Sequence, residues 1–241
     1  MPIERPLGER IDWTTAGRPQ RVPLHGTHIV LRPVDAATDA QPLYEVSHPP
    51  AGDLAIWTYL PDGPYESPEH LRQVLAWAQA AEDRVYFTLA RLPEERPLGL
   101  ASYLNIVAEH GTIEIGHIWF ATQLQRTTAA TEAIYLLARH AFDDLGYRRL
   151  EWKCNALNAA SRRAAERFGF TFEGVFRQHQ IVKARSRDTA WYAITDADWP
   201  SIRAGFQGWL DSSNFDERGR QLRPLGELIA AAAATAAQGR P

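Results

Sequence analysis

Apolar positions recur along this chain at two periods, and the switches between them mark out its elements. Residues 27–33 (Thr-His-Ile-Val-Leu-Arg-Pro) read as a short strand, and 36–46 and 68–81 as helices. In the second helix Leu71, Val74, Leu75 and Ala78 share one face at helical spacing. Three strands follow, at Val85–Arg91, 98–107 and Thr112–Phe120, with Pro93, Pro97 and Gly111 punctuating the gaps. A helix over 128–145 buries Ala133, Leu136, Leu137, Ala141 and Leu145. It pairs Arg139 with Asp143 on its exposed side and ends at Gly146. Residues 149–154 alternate cleanly, with Leu150, Trp152 and Cys154 on one face and Glu151 and Lys153 on the other. Asn158 caps a short helix ending at Phe168, with Gly169 just beyond it. Residues 170–182 and 189–195 form a long hairpin turning near 183–187, and a last helix spans 200–210.

The order is helices, an antiparallel meander, then β-α-β-α-β-β, which is an α/β fold with a mixed sheet. Residues 1–26, with Pro2, Pro6, Pro19 and Pro23, read as an irregular extension that Trp13 pins to a domain over 27–210. Residues 211–241 read as a C-terminal extension, a flexible alanine-rich tail whose 230–237 run has no apolar stripe and is either frayed helix or disordered.

Composition narrows the class. An apolar share of 45% and eight Trp in 241 residues supply a real core. A net charge of −3 calls for neither nucleic acid nor an anionic membrane as partner. Of the 26 basic residues only Lys153 and Lys183 are lysines. The single Cys154 excludes an intrachain disulfide and a cysteine-rich zinc site. With no signal-peptide core and no run of membrane length, a soluble, cytoplasmic protein is expected.

The candidate chemistry starts at residues 125–133, Gln-Arg-Thr-Thr-Ala-Ala-Thr-Glu-Ala, between a strand and a helix. A helix start offers unpaired N–H groups and the positive end of the helix dipole, a natural seat for phosphate. Small residues at Thr128, Ala129 and Ala130 allow close approach, and Arg126 adds charge. An ordinary βα connection reads the same way from this segment alone.

Three motifs together resemble the GNAT N-acetyltransferases, in particular the RimJ/RimL-type branch. They are Gln125-Arg126-Thr127-Thr128-Ala129-Ala130, in register with the family's Q/R-x-x-G-x-G/A loop; Asn158-x-x-Ser161 followed by Ala165-Glu166-Arg167-Phe168-Gly169-Phe170; and Arg187-Asp188-Thr189-Ala190-Trp191-Tyr192. The likeness covers roughly residues 25–200, and the lead-in Asp12-Trp13-Thr14 also fits close relatives. One departure stands out, since Thr128 takes the place of the family's middle glycine and restricts the backbone there.

The resemblance implies a mixed, mostly antiparallel sheet of six to seven strands, flanked by helices, with two splayed central parallel strands. It implies acetyl-CoA as co-substrate, no metal and a possible homodimer. The pyrophosphate would rest on Gln125, Arg126, Thr127, Thr128, Ala129 and Ala130. The pantetheine arm would meet the backbone of Phe120 and Ala121 and the amides of Asn155 and Asn158. A primary amine, on a protein N-terminus or a small molecule, would attack the thioester directly. Glu114 is the first candidate base and His117 the alternative. Strand alternation sets these two on opposite faces unless a bulge intervenes. Ser161 is the candidate donor near the thiolate. Cys154 as an acyl carrier competes with a plain core cysteine. The acceptor would meet Trp57, Tyr59, Asp62, Tyr65, Glu114, Arg177, His179 and Trp191, with Trp57 and Tyr59 equally able to close the core under a long loop. A GNAT-like module that binds acyl-CoA without transferring it is the alternative function. A nucleotide-binding protein would show glycine patterns that this chain lacks.

Overall fold

The computed structural model describes residues 5–238; the first four residues of the N-terminal extension and the last three of the tail lie outside them. Eight strands form one sheet in the order β1-β2-β3-β4-β5-β6-β8-β7. They are β1 (Leu24–His25), β2 (Ile29–Pro33), β3 (Val85–Arg91), β4 (Arg96–Val107), β5 (Thr112–Phe120), β6 (Arg149–Asn155), β7 (Thr171–Val182) and β8 (Arg185–Thr195). Every neighbouring pair is antiparallel except β5 with β6. The strand beyond the expected seven is β1, where the end of the N-terminal extension pairs Leu24 with Leu31. Residues 5–23 of that extension lack regular structure, and Trp13 ties them down by donating from Nε1 to the Glu109 carbonyl at 3.0 Å.

The helices are α1 (Ala36–Ser47), α2 (Pro68–Ala80), α3 (Thr128–Arg139), α4 (Ala159–Arg167), α5 (Trp199–Leu210) and α6 (Leu225–Gln238). The cap residues set their starts. Asp35, Ser67, Thr127 and Asn158 each accept a backbone N–H of the first turn. Between α1 and α2, a 3₁₀ turn at Leu54–Trp57 begins the aromatic loop. The core is continuous from Leu43 and Leu71 under α1 and α2, through Phe87, Tyr103 and Ile113 on the sheet, to Leu137 and Phe206.

Two departures from the hydrophobic pattern have local causes. The helix expected over 128–145 changes to a π turn at His140–Asp144. That turn moves Asp143 away from Arg139, so the expected pair does not form. Asp143 instead accepts from Trp199 Nε1 at 2.7 Å and meets Arg203 at 3.3 Å. The second departure is the tail, where of the two alternatives the helix forms, over Leu225–Gln238. Its apolar stripe starts upstream of the alanines, at Leu225, Leu228 and Ile229, which pack on the core.

Gly205 on α5 makes that docking possible. A Cβ built there would stand 2.4 Å from Ile229 Cγ1 and 2.8 Å from the Ile229 backbone. Alanine should gain about 1 kcal/mol of helix propensity at this position. Overpacking typically costs about 1–3 kcal/mol, and no rotamer relieves a clash with backbone. Gly205→Ala should therefore lower stability in urea unfolding and expose α6 to limited proteolysis; unchanged protection of α6 would show that the two helices do not need this contact.

Candidate active site

The pairing of β5 with β6 is short. It runs from Thr112↔Arg149 to Ile115↔Trp152 and stops, although both strands continue. Beyond that point β5 stays with β4 and β6 with β8, so the two centre strands part in a V. Their facing N–H and C=O groups lose each other as partners, and a buried backbone requires substitutes.

A bulge sharpens the V on the β5 side. Gly116 faces Ser102 and Trp119 faces Leu100, so His117 and Ile118 together oppose Ala101 alone. His117 takes φ +48 to absorb the extra residue. The bulge resets the alternation, and Glu114 and His117 both line one cleft of about 1440 Å³.

That cleft runs from the V to the start of α3. Arg126, at φ +60, turns the chain into the helix, and the Thr127 hydroxyl oxygen caps it by accepting the Ala130 N–H at 3.2 Å. Among the described residues nothing accepts the N–H groups of Arg126, Thr128 and Ala129. Thr128 sits in ordinary helical backbone as the first residue of α3, so glycine's freedom is not required there. On the far side of the V, Asn155 and Asn158 line the cleft, each using its side-chain oxygen on its own turn.

Residues 28–171 match the family model described as "Acetyltransferase (GNAT) domain". The chain belongs to the GNAT acetyltransferase family. A crystal structure of a GCN5-related N-acetyltransferase from Brucella melitensis superimposes with a TM-score of 0.87 at 37% identity, covering 91% of this chain and 99% of that one. A GNAT-family structure from Chromobacterium violaceum gives 0.75 at 39% identity over 82% and 98%. A Bacillus subtilis protein named "Putative ribosomal N-acetyltransferase YdaF" is 24% identical over 71% of this chain and 93% of its own length, in keeping with the RimJ/RimL-type branch. This acetyltransferase therefore carries the mixed sheet and the single parallel pair of its family.

Several expected site residues of this GNAT protein meet in the cleft. They are Tyr59, Glu114, Phe120, Gln125, Arg126, Thr127, Thr128, Ala130, Asn155, Asn158, Ser161, His179 and Trp191. Others do not. Trp57 is 2% exposed and packs edge-on to Tyr65 and against Trp119, closing the core under the aromatic loop instead of facing an acceptor. Asp62 and Tyr65 are likewise absent from the lining. Ala129 is buried below the loop surface. Ala121 is fully buried, its N–H bound to the Leu98 carbonyl and its own carbonyl accepting from Leu124 and Gln125. The Phe120 carbonyl accepts the Gln125 side chain at 2.9 Å. Arg177 is exposed on the outer surface of the last hairpin, beside Gln178, Ser186 and Asp188.

Lys153 is the residue the strand pattern overlooked. Its Nζ lies 2.8 Å from Glu114 Oε2, 2.8 Å from Glu151 Oε2 and 3.9 Å from the Trp191 ring centroid. Asn105 Nδ2 donates to the same Glu114 oxygen at 2.6 Å. Being one of only two lysines among 26 basic residues was the available signal. The other, Lys183, donates to the carbonyls of Trp57 (2.8 Å) and Asp62 (3.2 Å) and clasps the hairpin tip onto the aromatic loop.

Ser161 Oγ accepts from Trp152 Nε1 at 3.0 Å, which fixes the hydroxyl beside Cys154. Burial pushes the Cys154 thiol up, with the Ser161 hydroxyl pulling weakly the other way, so the sulfur stays protonated at neutral pH and is a poor nucleophile. His117 stacks on Tyr86, with its Nδ1 2.6 Å from the Tyr86 hydroxyl. Burial pushes its pKa below the ordinary 6.5, so the ring is neutral at pH 7.

Side chains of Glu114 and Lys153 are 7% and 13% exposed, so removing one charge strands the other. Lys153→Met should cost about 3 kcal/mol in urea unfolding. Adding Glu114→Gln should then recover more than about 1 kcal/mol as a coupling term. A purely additive cycle would mean that the pair contributes nothing beyond its separate side chains.

Proposed function

We propose that the cleft binds acetyl-CoA and that this protein transfers the acetyl group to a primary amine. The observation that carries this reading is the row of unpartnered N–H groups at the start of α3, at one end of a cleft whose other end is the V between β5 and β6. Arg126, Thr128 and Ala129 would hold the pyrophosphate by their free backbone N–H groups and the helix dipole, with Gln125, Thr127 and Ala130 lining the seat. The open strand edges, with Asn155 and Asn158, would pair with the amides of the pantetheine arm. Acetyl-CoA supplies the activated acetyl group.

The residues of this chain manage the proton. The incoming amine must arrive with its lone pair free, form the new C–N bond and give up a proton, while the departing sulfur takes the electron pair of the broken C–S bond. Glu114, the first candidate base, already shares Oε2 between Lys153 and Asn105. That oxygen is thus committed to an ion pair and a hydrogen bond rather than offered to an incoming amine. We therefore assign proton uptake to His117, in the tautomer whose Nδ1–H is donated to the Tyr86 oxygen, leaving Nε2 as the acceptor. Glu114 then acts through its charge. The Ser161 hydroxyl serves as a hydrogen-bond donor toward the leaving sulfur.

Two outcomes follow. At a hundredfold excess over its Kd, a ligand of the folded state adds about 2.7 kcal/mol, or roughly 5–10 °C in Tm for a chain of this size. Acetyl-CoA and CoA should both give such a rise, and no rise with either would sink the cofactor assignment.

The second outcome concerns pH. Because the folded pKa of His117 lies below 6.5, the unfolded chain takes up that proton first. The stability this ring contributes is full above 6.5 and is lost as pH falls through the lower folded value. The acid limb of kcat/KM should accordingly lie below pH 6.5. His117→Gln should cut kcat by about 100-fold or more and abolish that limb, whereas Glu114→Gln should preserve it. A limb that survives in His117→Gln but vanishes in Glu114→Gln would return the role of base to Glu114.

A further inference from the structure

Arg187 is a cation in the cleft with no acid to answer it among the described residues. Arg187, at the open end of the V on β8, donates from one terminal nitrogen to the neutral Gln180 amide at 2.7 Å. Its buried Nε has no partner, and no carboxylate lies within salt-bridge distance among the described residues. The adjacent Asp188 turns away to accept the Gln178 N–H at 2.7 Å. Burial lowers the Arg187 pKa, yet guanidinium stays charged, and that charge bears on His117, Cys154 and Glu114. The nearby carboxylate of Glu114 is engaged by Lys153, which it shares with Glu151, and does not reach Arg187. A partly desolvated guanidinium with an idle N–H is costly unless an anion completes it.

We infer that the acceptor amine carries its own carboxylate, in the manner of a free amino acid, and that Arg187 binds this carboxylate while the amine faces His117. This rests on the acetyl-transfer reading above and adds the acceptor class to it. A polyamine would set a second positive charge against the unpaired Arg187 guanidinium, whereas a carboxylate would complete it. Trp191 and Tyr59 line the same cleft and offer flat apolar walls for the rest of the acceptor. Arg187 is thus a specificity residue, gripping the acceptor rather than activating it.

The test compares acceptors that differ only in the carboxylate: tyrosine with tyramine, phenylalanine with phenethylamine, and lysine with cadaverine. Release of free thiol from acetyl-CoA is the readout. In at least one pair the acid-bearing member should be favoured by tenfold or more in kcat/KM. Arg187→Gln should bring that ratio close to one, chiefly through KM, and leave the Tm rise with CoA intact. Arg187→Lys, which keeps the charge without the fork, should retain part of the preference and controls for folding. The proposal is overturned if the amines lacking the carboxylate do as well or better in every pair, or if no acid-bearing member is turned over while spermidine or a peptide amine is. It is also overturned if Arg187→Gln slows both members of a pair equally, which would place the charge on the thioester instead. Absence of any CoA-induced Tm rise in the unaltered protein is a different failure, that of the cofactor reading itself.

Discussion

Everything in this molecule's cleft depends on two parallel strands that pair and then part. After Ile115↔Trp152 the ladder between β5 and β6 ends, though both strands run on beside their outer neighbours. Backbone groups at the centre of a sheet are normally satisfied by the next strand. Here the next strand has moved away, and the space it leaves is the space a linear, amide-bearing molecule can fill. The bulge at His117 adds to the opening and lets a histidine three residues after a glutamate share its side of the strand. Without the bulge, period-two alternation would send the ring into the opposite layer.

Charge is distributed in the cleft with the same economy. A buried carboxylate at Glu114 is stable because Lys153 and Asn105 hold it, and Lys153 in turn rests on the Trp191 face and on Glu151. Such a cluster keeps the Oε2 oxygen engaged by two donors rather than open to a substrate. His117 is the contrasting case, a ring kept neutral by burial rather than ionised by a partner. In a chain otherwise built with arginine, both lysines stand beside this cleft. A compact ammonium fits between Glu114 and the Trp191 ring, and another bridges two carbonyls to fasten the hairpin tip.

Much of the fold was legible because local rules and burial agreed. The cap at Asn158, the glycine after the third helix and the clean alternation at 149–154 each have one physical reading, and the fold follows them. The misreadings arose where a distant partner intervened. The alanine-rich tail could be read as frayed helix or as disorder because its own stripe is thin, and Gly205 on a neighbouring helix, by offering it a seat, decides for the helix. Asp143 was paired by spacing with Arg139, until a π turn carried it to Trp199. Trp57 and Tyr59 sit in one loop with similar chemistry, and only packing separates the one that closes the core from the one that lines the cleft.

The sequence by itself determined the order of elements, the capped helix starts and the loop that resembles a phosphate seat, because these follow from near neighbours along the chain. It also carried the family likeness through three short motifs. Tertiary structure alone decided that the strands part after Ile115, that a bulge brings His117 to the side of the strand that Glu114 occupies, and that Lys153 pairs with that carboxylate while Arg187 is left without one. Each of these is a relation between residues far apart in the chain. Their energies depend on burial and separation in space, which no local pattern encodes.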